Sequence, residues 1–241
     1  MARYYSEQGV GDRRTTRGEA VMATTLVPPQ ALADELLAQV QAFCRALDAH
    51  LPAYSYVPLV SDAQRLIILQ SRYWNELRAA EVFGRWLKGF DDLDVKLHFM
   101  DAIGEEARHA RLLAERIRAL GGDPLAYEPP PGQIAMFNAF EALEDTVERV
   151  AAFSLAGEGV ADYLIERMLA APSVPEWLKE PYRAIHAEEQ GHGSYPVEVI
   201  ARLATSEVRQ RRARRAVAMS LTLRQRYFDD LDAMVLGGAR W

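Results

Sequence analysis

The chain has 241 residues, 49% of them hydrophobic and 26% charged, with a net charge of −6; this balance specifies a folded domain and excludes a disordered chain. No apolar run approaches the ~20 residues that cross a bilayer, and the N-terminal stretch lacks the apolar centre of a signal peptide, so a cytoplasmic protein is expected. Cys44 is the single cysteine, which excludes an intrachain disulfide, a thiolate metal cluster and a rubredoxin-type site.

Residues 1–29, rich in Gly, Arg, Thr and Ser, read as a flexible arm, and residues 30–241 as one helical domain. "ALADELLAQVQAFCRALDAHL" (31–51) has the apolar period of an amphipathic helix. The next helix, 61–90, opens on Ser61 as N-cap and stops at Gly89. Residues 91–120 begin with acids, end with bases and are closed by Gly121-Gly122, as the helix dipole favours. After a connection at 121–132, a single long helix is predicted from about 133 to 170. "APSVP" turns the chain, and helical patterning resumes over 176–204 with kinks at Pro181 and Pro196. A last helix covers about 206–236, and no stretch alternates as a strand would. The predicted class is all-α: a four-helix bundle with its core at about 61–204 and additional N- and C-terminal helices.

"EEARH" (105–109) and "EEQGH" (188–192) repeat the pattern Glu-Glu-x-x-His. On a helix Glu106 and His109, three residues apart, share a face, as do Glu189 and His192. That face is the apolar one, carrying Phe99, Ile103, Ala110, Leu113 and Ile117. Ionised carboxylates there cost several kcal/mol unless paired, hydrogen-bonded or bound to metal. Glu76 lies on the apolar stripe of the preceding helix with Tyr73, and Glu158 on that of the helix before the second motif. Glu76 precedes Glu106 by 30 residues and Glu158 precedes Glu189 by 31, with both midpoints in predicted turns. Each antiparallel hairpin therefore sets a glutamate opposite a Glu-x-x-His pair, roughly 22 Å from its turn. Four carboxylates and two imidazoles in a bundle core suit a pair of iron or manganese ions. Glu81, the other acid on the first helix, points with Trp74 and Lys88, which favours Glu76.

One glutamate plus Glu-x-x-His, repeated at these spacings, resembles the ferritin-like di-iron carboxylate superfamily. It is most similar to the oxygen-activating branch of ribonucleotide-reductase-like small subunits and of bacterial multicomponent and phenylacetyl-CoA-type monooxygenases. The resemblance implies that Glu76, Glu106, His109, Glu158, Glu189 and His192 hold two iron ions, as Fe/Fe or Mn/Fe, with O2 as cosubstrate. "EEARH" is also similar to that branch's Asp-Glu-x-Arg-His, in which the first acid supports a histidine from another helix. Glu105 and Glu188 occupy that place, one methylene longer, and "EEQGH" lacks the arginine.

The function so implied is oxidation of a small organic substrate by hydroxylation, desaturation or N-oxidation. Electrons are expected from a separate reductase or ferredoxin, and a homodimer is compatible with the reading. Alternatives are a ferroxidase, an iron-handling or peroxide-scavenging protein, an aldehyde-deformylating oxygenase and a tRNA-modifying hydroxylase. Asp162 and His186 are candidates for an additional ligand or proton relay, against a salt bridge and a core or capping histidine. Tyr195 either bonds near the site or packs, and Gly157 and Gly159, flanking Glu158, mark either a kink or a bulge that leaves room beside metals. "VRQRRARR" (208–215) is a solvated face, a set of partners for acids elsewhere, or a dock for an acidic group. No aromatic platform accompanies it, so nucleic acid is not expected.

Overall fold

A computed structural model describes residues 26–189 and 193–237, and every regular element among them is helical. Residues 1–25 of the expected arm and His192 lie outside the described residues. Helix α1, Pro29–Leu47, starts on a proline and buries Leu32, Leu36, Val40, Cys44 and Leu47 along one stripe. It ends short of the expected residue 51, since Pro52 offers no amide and bars the helical conformation to its predecessor. A 3-10 turn, Ala53–Ser55, follows and closes on Tyr56 in the left-handed region at φ 62°.

Helix α2, Asp62–Trp86, opens on a reciprocal cap: the Ser61 hydroxyl accepts from the Gln64 amide while the Gln64 side chain accepts from the Ser61 amide. Helix α3, Leu93–Ala119, is capped by Asp92, whose carboxylate accepts from Val95 N–H at 3.0 Å. It stops where Gly121, at φ 75°, lets Gly121 N–H donate to Arg118 and Gly122 N–H to Ile117. The two helices form an antiparallel hairpin, with Gln70 of α2 bonded to the Asp123 carbonyl beyond the end of α3.

The single helix expected over 133–170 is broken. Helix α4, Pro131–Glu141, ends, and α5, Thr146–Arg149, begins on a new cap in which Asp145 and Glu148 satisfy each other's amides. Arg149 Nε takes the Leu143 carbonyl left open by the break. The chain then continues through a π-helical stretch, Val150–Glu158, into α6, Gly159–Ala170. Residues 150–157 are all buried, enclosed by neighbours on every side. Helix α7, Glu176–Glu189, carries Pro181 internally, whereas Pro196 opens α8, Tyr195–Leu203, rather than kinking a longer helix.

Helix α9, Glu207–Leu236, packs on α4, on the π-helical stretch that ends in Glu158 and on α1. Gly132 of α4 allows the close approach: a Cβ there would meet the Arg226 backbone at 3.0 Å. The arginine run pairs with acids, most of them outside α9. Arg209 binds Asp91 and Asp145, Arg214 binds Glu35 at 2.7 Å, and Arg211 bonds Glu207 within α9.

Candidate metal centre

The α2–α3 hairpin brings Glu76 beside Glu106 and His109, and one donor atom from each lies within 4.8 Å of the others. Both members of the Glu-x-x-His pair are buried, Glu106 at 8% exposure and His109 at 1%. His109 Nδ1 lies 3.4 Å from a Glu76 oxygen and 3.8 Å from an oxygen of Glu189, the last residue of α7. Its Nε2 faces Glu188, 3.3 Å away, and Arg108 holds the same Glu188 oxygen at 3.1 Å. Glu188 thus stands against a histidine of another helix, on the side of the ring opposite the carboxylates. Neither ring nitrogen makes a hydrogen bond of good geometry. Glu105 lies 3.9 Å from Arg108. Glu81 is paired with Arg78 on the surface.

Glu158 ends the π-helical stretch, and together with Glu76, Glu106, Glu189 and Asp162 it lines a cavity of about 70 Å³. Glu158, Asp162 and Glu189 also line a second cavity of about 270 Å³, on the side of α1. Gly157 lines the first and Gly159 the second. Asp162 is hydrogen-bonded to Nδ1 of His186. Tyr73 packs against the core, and Tyr195 stacks on His98 with ring centroids 3.8 Å apart; neither lines either of these two cavities.

The electrostatics are those of acids held together. Burial, then the Glu76 charge, pushes Glu106 well above the ordinary glutamate value. Burial and the charges of Glu105 and Glu76 push Glu158 up to about 7, and burial with the Glu158 charge pushes Glu189 up to about 9. Glu76 goes the other way: burial raises it, but His109, the Glu106 carboxyl and Arg72 together hold it low. Burial alone would lower His109, yet the surrounding glutamates raise it. Crowded buried carboxylates beside an imidazole without hydrogen-bond partners fit a hard or borderline dication: it would neutralise the repulsion and take Nδ1.

Arg72 and Arg224, both buried, line the smaller cavity and went unremarked in the sequence. Arg72 lies over the Tyr54 ring at 3.8 Å and donates to the Tyr54 carbonyl; Arg224 donates to the Gly157 carbonyl. The signal was available, since Arg72 sits four residues before Glu76 on a largely buried helix.

A ferritin-like domain family matches residues 82–156. That span covers under a third of the chain and contains Glu106 and His109 but not Glu76, Glu158 or Glu189. A crystal structure from Shewanella denitrificans OS217, described as a domain of unknown function with a heme oxygenase-like fold, superposes with a TM-score of 0.63. The two share 18% identity, over 90% of this chain and 99% of that one. No curated protein matches the chain. The fold is an all-α ferritin-like bundle. At that level the findings support the ferritin-like superfamily.

Proposed function

We propose that the chain is a non-haem di-iron oxidase or oxygenase that uses O2 to oxidise a small organic substrate. The observation that carries this reading is the convergence of Glu76, Glu106 and His109 within 4.8 Å, with both glutamates on the wall of a cavity that Glu158 and Glu189 also line. In this proposal those five residues hold the metals, joined by His192, which the repeated motif supplies. Bound there, two ferrous ions would supply electrons for reducing O2, to be replenished by an external reductase or ferredoxin.

The chain's own residues would act on position and protons. Glu188, anchored by Arg108, holds the His109 ring so that Nδ1 faces the carboxylates. Glu105 is the corresponding candidate beside the second motif. Asp162, bonded to His186 on the wall of both cavities, is placed to pass a proton to the site or to add a ligand. Arg72 and Arg224 oppose the negative charge of the carboxylates across the smaller cavity.

The ferritin-like match favours iron handling as the second reading. The two separate on addition of O2 to anaerobically ferrous-loaded protein with an electron donor. An oxygenase consumes O2 in step with an organic product over many turnovers; a ferroxidase stops when its ferrous iron is spent. Protein that takes up no ferrous iron would sink both.

A further inference from the structure

We propose that the cavity of about 270 Å³ is the substrate chamber, and that it takes a compact monoanionic acid whose carboxylate docks on Arg45. This rests on the di-iron reading and adds the class of substrate to it. The chamber has a mainly apolar lining, to which Ser154 and Tyr163 add hydroxyls, and two groups of charged or amide side chains. Val40 and Cys44 of α1 form one side, Leu155 of the π-helical stretch and Pro196 of α8 the other. Its inner end is the row of Glu158, Asp162 and Glu189, the three acids it shares with the smaller cavity. A molecule inside therefore abuts the proposed metal ligands directly.

The outer end is set by Gln41 and Arg45, one turn apart on α1 and exposed, while Val40 and Cys44 beside them are buried. Asp48, the nearest acid along the chain and the residue just past α1, is taken by Arg167 and Tyr163, and Arg45 forms no ion pair among the described residues. A cation without an ion pair at the mouth of an apolar chamber selects an anionic head and leaves the tail to the walls. Cys44 belongs to the wall and not to the chemistry: burial, then Asp48, pushes its thiol up to about 11, so it stays protonated. An apolar cavity of about 150 Å³ admits benzene, so this chamber accommodates roughly ten to twelve non-hydrogen atoms.

Octanoate has that size, and calorimetric titration of the purified protein, with its iron content measured on the same sample, tests the assignment. One octanoate per chain is expected, with acetate and 1-octanol each at least tenfold weaker. Val40→Trp fills the chamber and abolishes binding. Should that variant fold poorly, Gly159→Ala serves in its place, because the added Cβ stands at an ordinary 3.5 Å from Val40 and takes room from the same space. Arg45→Ala, at an exposed position, weakens octanoate about fivefold and leaves 1-octanol unchanged, and Arg45→Lys restores part of the loss. Iron-loaded protein that ignores octanoate, or binds it regardless of the chamber variants, overturns the chamber. Equal affinity for octanoate and 1-octanol, indifferent to Arg45→Ala, overturns the anionic head. Protein that takes up no ferrous iron on anaerobic loading, yet binds octanoate with the same sensitivity to the Val40 and Arg45 variants, overturns the di-iron reading and keeps the chamber.

Discussion

In the α2–α3 hairpin, a reciprocal serine–glutamine cap, an aspartate cap and a two-glycine stop fix where both helices begin and end. Glu76 then meets Glu106 and His109 by regular counting from the turn. In the second hairpin the helix carrying Glu158 starts on an unexpected cap, runs through nine π-helical residues and buries eight of them whatever their angular position. A face repeats every 3.6 residues only in a regular α-helix, so the stripe argument holds for the first hairpin and loses its footing in the second. The two halves of the proposed centre are thus one regular and one irregular frame, and the irregular one borders the larger cavity.

If the frames share one centre, neither half retains metal alone. Glu106→Ala and Glu158→Ala should each lower iron from about two per chain to well under one, measured by elemental analysis of anaerobically loaded protein. Retention of one tightly held iron in each variant would mean two independent sites.

The next effect concerns the metal-free protein, in which the acids face each other uncompensated. Glu106→Gln and Glu189→Gln should each raise its stability at neutral pH by about 1–3 kcal/mol in urea denaturation, while abolishing stabilisation by iron. The pH dependence has a definite sign. Glu158 at about 7 and Glu189 at about 9 lie above the ordinary 4.5, so the folded chain binds more protons than the unfolded one between those values. Metal-free stability should therefore rise as pH falls from about 9 toward 4.5. The contribution of Asp91 and Asp92, held low by Thr146 and by Arg202 respectively, is lost only as pH falls further, below their ordinary 3.8.

Two caps compare the frames more gently. Asp145→Ala removes the start of α5 and a partner of Arg209, and should cost about 1–2 kcal/mol. Ser61→Ala removes one bond of a cap on the solvent side of α2, and about 0.5–1 kcal/mol is expected. A larger loss at Ser61 than at Asp145 would invert the ranking of the two frames.

What could be read without coordinates follows the same division. Caps, glycine stops and the 30-residue interval from Glu76 to Glu106 are local signals, and they located the first hairpin within a few residues. The break at 142–145 also had a local signal, the Asp145-x-x-Glu148 capping box, which the apolar period on either side concealed. Gly157 and Gly159 marked the irregularity near Glu158 but not the extent of the π-helical stretch, which depends on how α1 and α9 enclose it. The partners of Arg209 and Arg214, and the role of α1 as a cavity wall, are tertiary facts that no local pattern carries.

Anomalous diffraction at the iron edge, on crystals grown after anaerobic ferrous loading, tests the shared centre most directly. The account predicts two peaks a few ångströms apart, one bounded by Glu76, Glu106 and Nδ1 of His109 and the other reached by Glu158 and Glu189. Peaks far apart, or a lone peak untouched by the second hairpin, would contradict it.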